Sequence, residues 1–353
     1  MSSIASLFIG LGLSLSLVLS SVLVFFYVER KGSAFIQDRL GPTHVGRFGL
    51  LQPLADLLKL VQKETIVPST ARRFLFLLAP FVVFAAVFSG FALLPLWADL
   101  SPFIPIPGGL LLLLGVISID AIGILMASYA SQSKFPMLGA GRAVSQMVSY
   151  EVPLGISFLC FFWICNSVQL SDIQNFQLTE LKSPGFLTWP WHVMGIDITN
   201  WGGFFQWNFF RFPILLFLLP GFYICILAES HRAPFDLPEG ESEIVGGFHT
   251  EYSGYLWAIF FLAEYAMMLI LSLIMSYLFF GGAASPIPHF GHFSGINEPS
   301  FFWLLAKAWL LGFSMIWIRW TLPRLRIDQL LKLCWKVVTP IALFVFLVCL
   351  LGK

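Results

Sequence analysis

Residues 255–280, YLWAIFFLAEYAMMLILSLIMSYLFF, form an apolar run of 26 residues whose one charged side chain is Glu264. The 27 residues before it, 228–254, read AESHRAPFDLPEGESEIVGGFHTEYSG and hold six of the chain's 19 acidic residues. The hydrocarbon core of a bilayer is about 30 Å thick and a helix rises about 1.5 Å per residue, so the first stretch is long enough to cross. A helix also satisfies every backbone N–H and C=O within the segment, which lipid demands. The second stretch places carboxylates at a membrane boundary, where they must be hydrated, paired or used. A loop kept in water by its own charges is the plain alternative.

The same pattern repeats outward. The 353 residues are 58% hydrophobic and 11% charged. Apolar runs predict eight spans, near 4 to 28, 74 to 97, 109 to 131, 149 to 166, 212 to 229, 255 to 280, 301 to 320 and 337 to 351. The fold class is therefore all-α, a polytopic membrane protein forming a single membrane domain over 1–353. No Lys or Arg precedes the first span, and Glu29, Arg30 and Lys31 follow it at once, so it reads as a retained helix with its N-terminus outside. Threading eight spans from there puts residues 29–73, 132–148, 230–254 and 321–336 on one side. With Arg319, that side holds 16 of the 20 Lys and Arg, which makes it the cytoplasmic or matrix side.

A net charge of +1 gives no footprint for nucleic acid. Cys160, Cys165, Cys225, Cys334 and Cys349 lie in or beside spans without a CxxC pair, and the six histidines are scattered, so core packing is expected of the thiols and no metal site is assigned.

The first basic loop, 29–73, contains GLLQPLADLLKLVQKE. Leu50, Leu51, Leu54, Leu57, Leu58 and Val61 recur at helical spacing, opposite Gln52, Asp56, Lys59 and Lys63, with Pro53 tolerable only in a first turn. An interfacial amphipathic helix is predicted, its leucines toward lipid or protein and Asp56, Lys59 and Glu64 toward whatever docks from the aqueous side. A plain membrane-surface anchor fits the same pattern. Before it, ERKGSAFIQDRLGP is expected to form a short turn-rich stretch. Anchoring explains its cations and leaves its acids unexplained.

Within the spans, Asp120, Glu151, Glu229 and Glu264 each cost roughly 2.5–3.5 kcal/mol if ionised at bilayer depth. The threading puts the last three in the cytoplasmic half and Asp120 deeper, so the four are candidates for one buried polar line that exchanges protons. Helix-to-helix hydrogen bonding by acids that never titrate is the alternative.

ERKGSAFIQDRLGP, GLLQPLADLLKLVQKE, AESHRAPFDLPEGESEIVGGFHTEYSG, FFLAEY and RWTLPRLRIDQL run in order from Glu29 to Leu330. Together they resemble the quinone-chamber membrane subunit of respiratory complex I, NADH:quinone oxidoreductase chain 1 of the NuoH type. The resemblance implies a subunit beneath the peripheral arm, with quinone as substrate, and FMN and iron–sulfur clusters carried by partner subunits. Those partners are the peripheral quinone-module subunits and the adjacent membrane-arm subunits, in a bacterial or mitochondrial inner membrane. Arg30, Arg39, Asp56 and Glu64 would belong to the chamber and its amphipathic helix. Arg232, Phe235, Asp236, Glu239, Glu241 and Glu243 would belong to the acidic loop that meets it. Glu151, Glu229 and Glu264, with Asp120, would start the proton-coupling line. Residues 167–211 match nothing in the pattern. A membrane-bound hydrogenase or ferredoxin-linked complex uses a homologous subunit, and a free-standing secondary transporter is the remaining class, although no internal repeat between 1–176 and 177–353 supports it.

Overall fold

The structure is a computed structural model that describes residues 2–96, 106, 108–178, 192–193, 196–197, 203–287 and 299–351. Helix α1 runs Ser2–Ile36, followed by α2, Gln52–Gln62, and α3, Arg73–Leu93. The third span is split into α4, Gly109–Ile117, and α5, Ile119–Ser131; α6 is Lys134–Cys165 and α7 is Leu170–Leu178. A two-residue antiparallel pair, His192–Val193 with Ile196–Asp197, precedes the single turn α8, Asn208–Arg211. Then come α9, Leu215–Glu229, the single turn α10, Glu241–Ile244, α11, Gly254–Phe279, and α12, Phe301–Thr321. The last span joins α13, Ile327–Leu333, to α14, Thr339–Leu351, through a π-helical turn, Cys334–Val338.

Among the described residues, seven helical segments are long and apolar enough to cross a membrane. The segment expected from 212 to 229 is the exception. Its helix, α9, has 15 residues and is about 22 Å long, short of the bilayer core. The chain breaks just before it because Pro213 disfavours helical geometry at the preceding residue, and Phe212 is extended at φ −121°, ψ 92°.

Three sequence-derived boundaries shift. The expected turn-rich stretch after residue 28 is helical through Ile36, and the chain turns only at Asp38 and Gly41, both with positive φ. Most of the expected 132–148 loop is the start of α6, and 327–336 belongs to the last span, which covers Ile327–Leu351. Lys134, Arg142, Lys332 and Lys336 lower local hydropathy without opposing a helix, so hydropathy marks the membrane edge and misses where the helix ends.

Helix α11 is the axis of the bundle. From Tyr265 to Phe279 every residue is buried, and it packs against α1, α3, α9 and α12. Two glycines permit close helix approach: a Cβ at Gly123 of α5 would collide with Val83 of α3, and one at Gly312 of α12 would meet Phe25 of α1 at 2.6 Å. Cys160, Cys225, Cys334 and Cys349 are buried free thiols within this packing, as their apolar settings suggested.

Candidate functional site

Three helices and one loop converge on a buried ionic knot. Glu29 of α1, 7% exposed, accepts hydrogen bonds from Arg232 (3.1 Å), Arg319 of α12 (2.5 Å) and the Tyr265 hydroxyl of α11 (2.5 Å). Arg232 Nε lies 3.1 Å from Glu264 Oε1, close enough to pair charge though not aligned as a hydrogen bond, and its guanidinium sits 4.0 Å from the centre of the Tyr265 ring. Two carboxylates thus face two guanidiniums, of which Arg232 is fully buried and Arg319 partly exposed. Each side needs the other, because a buried charge stripped of its partner costs several kcal/mol.

The loop between α9 and α11 folds back over this knot. Glu239 Oε1 is 3.0 Å from His249 Nε2. Burial alone would raise the Glu239 carboxyl, but the His249 hydrogen bond and the charges of His249, Arg232 and Arg319 outweigh it and hold the group at about 2. Asp236 goes the other way: burial, reinforced by the charge of Glu239 and only partly offset by Arg324, pushes it up to about 8. Burial lowers His231 to about 4, leaving a neutral imidazole 3.9 Å from Asp120. Glu243, half-exposed, reaches out to Arg142 of α6 at 2.5 Å. Phe235 is buried under the loop. Glu241 opens α10, and its side chain lies outside the described residues.

A cavity of about 20 Å³ gathers Asp120, Glu229, His231, Glu239, His249 and Glu264 in its wall. That is room for about one water. Below it, a cavity of about 200 Å³ is lined by Ser118, Glu151 and Glu229 among apolar side chains, room for several. Glu229 belongs to both walls. It also lies beside Tyr150 of α6, while Glu151 is 2.6 Å from the Ser118 hydroxyl. Asp120 and Glu264 thus line the first cavity and Glu151 the second, with Glu229 in the wall of each.

Ligand atoms of Glu239, His249 and Glu264 lie within 4.8 Å of one another, a spacing that a metal ion can bridge. Arg232 already supplies the opposing charge there, so the cluster is better matched to protons than to a cation.

A third space, a groove of about 320 Å³, opens between α1, α2 and α11. Its walls include Phe26, Arg30, Asp56, Lys59, Trp257 and Phe261. Arg30 bridges Asp56 at 2.5 Å and covers the Phe26 ring at 4.1 Å.

A family model described as NADH dehydrogenase matches residues 9–350. The chain belongs to the NADH dehydrogenase family. Its relatives include an NADH-quinone oxidoreductase subunit of the H type from Cytophaga hutchinsonii, 44% identical over 349 residues and 95% of each chain. The H-type protein of Chlorobaculum parvum is 43% identical, covering 91% of this chain and 84% of its own, and that of Ruthia magnifica is 40% identical, covering 99% and 92%.

In this member of the NADH dehydrogenase family, the structure brings together most residues singled out by sequence and separates others. Asp120, Glu151, Glu229, Glu264, Arg232 and Glu239 share one connected region. Arg30 and Asp56 share the groove, whereas Arg39 is exposed and donates to Ser33 (3.4 Å), and Glu64 is exposed with its carbonyl against Gly254. Asp56 and Lys59 line the groove, Asp56 paired with Arg30 and Lys59 exposed. Leu50, Leu51, Leu54, Leu58 and Val61 form the outward stripe. Glu264, the one charged side chain of its apolar run, is paired with Arg232 of the loop before it. Glu29, Arg319, His231, His249, Tyr150 and Ser118 escaped the sequence reading as site residues. Glu29 had left a signal, since it is an acid that membrane anchoring does not explain.

Proposed function

We propose that this chain is the membrane subunit of a proton-pumping NADH:quinone oxidoreductase that walls the quinone chamber and carries the effect of quinone reduction into the membrane through buried carboxylates. The observation that carries the proposal is Glu229, which lines both the cavity under the acidic loop and the deeper cavity of Glu151.

Reduction of a quinone to a quinol consumes two electrons and two protons. The electrons come from iron–sulfur clusters in the peripheral partner subunits, themselves fed by FMN and NADH. This chain supplies an apolar way in for the quinone tail and titratable groups near its head. The groove of α1, α2 and α11 suits the first task, with aromatic and aliphatic walls and a charged Arg30–Asp56 mouth. Its outward leucine stripe suits a helix lying in the interface against lipid.

For the second task, withdrawal of protons near the loop changes the local charge around Glu239, His249 and Arg232. Low effective dielectric gives that change a long reach. Glu264 shares Arg232 with Glu29, so a proton gained or lost in the loop alters how firmly Arg232 is drawn to each carboxylate. Asp120, Glu229 and Glu151 then pass the proton shift onward, toward the adjacent membrane-arm subunits.

The test is a photoreactive quinone analogue on the intact complex in its native membrane, a bacterial inner membrane in this proposal. Labelling within residues 22–30 and 257–262, competed by ordinary quinone, is expected. Labelling of partner subunits alone, with none in this chain, would overturn the chamber assignment.

A further inference from the structure

The third span is interrupted at Ser118, between α4 and α5. At the joint, Ser118 Oγ lies 3.0 Å from the carbonyl oxygen of Leu114 and 2.6 Å from Glu151 Oε1 on α6. A serine hydroxyl has one hydrogen and two lone pairs, so it donates to only one of these oxygens at a time. When Glu151 is ionised, the hydroxyl donates to the carboxylate and Leu114 keeps only the backbone N–H of Ser118, at 3.1 Å. When Glu151 carries a proton, the acid donates to Oγ and the hydroxyl hydrogen turns to Leu114. A hydroxyl bonded to the carbonyl four residues back bends a helix. The two states of Glu151 therefore favour two states of the joint.

What the joint carries gives this consequence. Asp120 lies two residues on, in the first turn of α5, with its carboxylate in the upper cavity near His231. Glu229 faces the lower cavity with Glu151 and lies beside Tyr150 of α6. Both acids are thus next to an element whose geometry depends on where one hydroxyl hydrogen points.

We infer that Ser118 is a positioning residue that couples the proton on Glu151 to the α4–α5 joint and, through it, to the placement of Asp120. The inference rests on the reading of these acids as a proton line. It adds a residue that carries no charge and never titrates.

The experiment uses the assembled complex reconstituted in proteoliposomes, with Ser118→Ala, Ser118→Thr and Glu151→Gln. Infrared difference spectra between oxidised and NADH-reduced states identify the Glu151 carboxylic C=O band as the one missing in Glu151→Gln. Ser118→Ala removes the hydroxyl, so the band moves to higher wavenumber, and proton transfer slows roughly tenfold, the factor for one hydrogen bond to a charged group, at unchanged quinone KM. Threonine keeps a hydroxyl able to bond the same carbonyl and restores both band and rate. An unmoved band in Ser118→Ala, or a threonine variant that assembles yet behaves like alanine, overturns this inference alone. A Glu151→Gln spectrum identical to wild type overturns the proton-line reading of Glu151 and this inference with it.

Discussion

Replacing Arg232 by Gln removes one of two cations from a knot that holds two carboxylates. Glu29 retains Arg319 and Tyr265, but Glu264 loses the guanidinium 3.1 Å away. With charge centres about 4 Å apart and an effective dielectric of about 20, that attraction is worth roughly 4 kcal/mol. Breaking a buried pair by removing one partner typically costs about 3–5 kcal/mol, which agrees. Arg232→Gln should therefore lower the thermal midpoint and yield of the purified complex. The double variant Arg232→Gln with Glu264→Gln removes the stranded charge as well. It should recover at least half of the lost midpoint, because what the single variant suffers from is an unpaired carboxylate rather than missing volume. A double variant no more stable than the single one would refute the assignment of Glu264 as the partner of Arg232.

Three further outcomes follow from the same geometry. Glu239→Gln should depress quinone reductase activity at least tenfold while NADH oxidation by an artificial flavin-site acceptor stays intact; Glu243→Gln, whose partner Arg142 is outside the cavity, should leave both rates near wild type. Equal loss of both activities in Glu239→Gln would mean failed assembly instead. Asp236 is held at about 8 when folded against 3.8 for the free group, so its contribution to stability is full below pH 3.8 and is lost as pH rises toward 8. Asp236→Asn abolishes that loss, and its thermal midpoint relative to wild type should climb between pH 4 and 8 and then level; a difference independent of pH contradicts the shift. Asp56→Asn breaks a half-exposed pair with Arg30, and a rise in quinone KM of no more than about fivefold is expected, the scale of a surface bridge; an unchanged KM places the groove off the quinone's path.

Sequence carried the fold as far as hydropathy reaches. The apolar runs located the seven span-length helices, because burial of apolar length is a one-dimensional signal. Helix ends were less legible. The extension of α1 to Ile36 and the start of α6 at Lys134 lie where polar residues leave the membrane without leaving the helix. In the site, Asp120, Glu151, Glu229 and Glu264 were marked by the cost of a carboxylate in a span. Glu29 was not, since its partner Arg232 is 203 residues away in the chain and only folding brings the two together. The pairing of Asp56 with Arg30 was not legible either: helical periodicity separates two faces and does not say what each one meets.

The central claim is that Glu229 passes protons between the loop cavity and the deeper one. Glu229→Gln preserves shape and still fills both cavity walls, yet it cannot ionise. The decisive quantity is protons translocated per NADH oxidised by quinone, measured in proteoliposomes holding the assembled complex. The account predicts normal assembly and flavin-site activity with quinone-coupled turnover and proton translocation lost together. An assembled Glu229→Gln complex with wild-type quinone reduction and wild-type proton stoichiometry would contradict it.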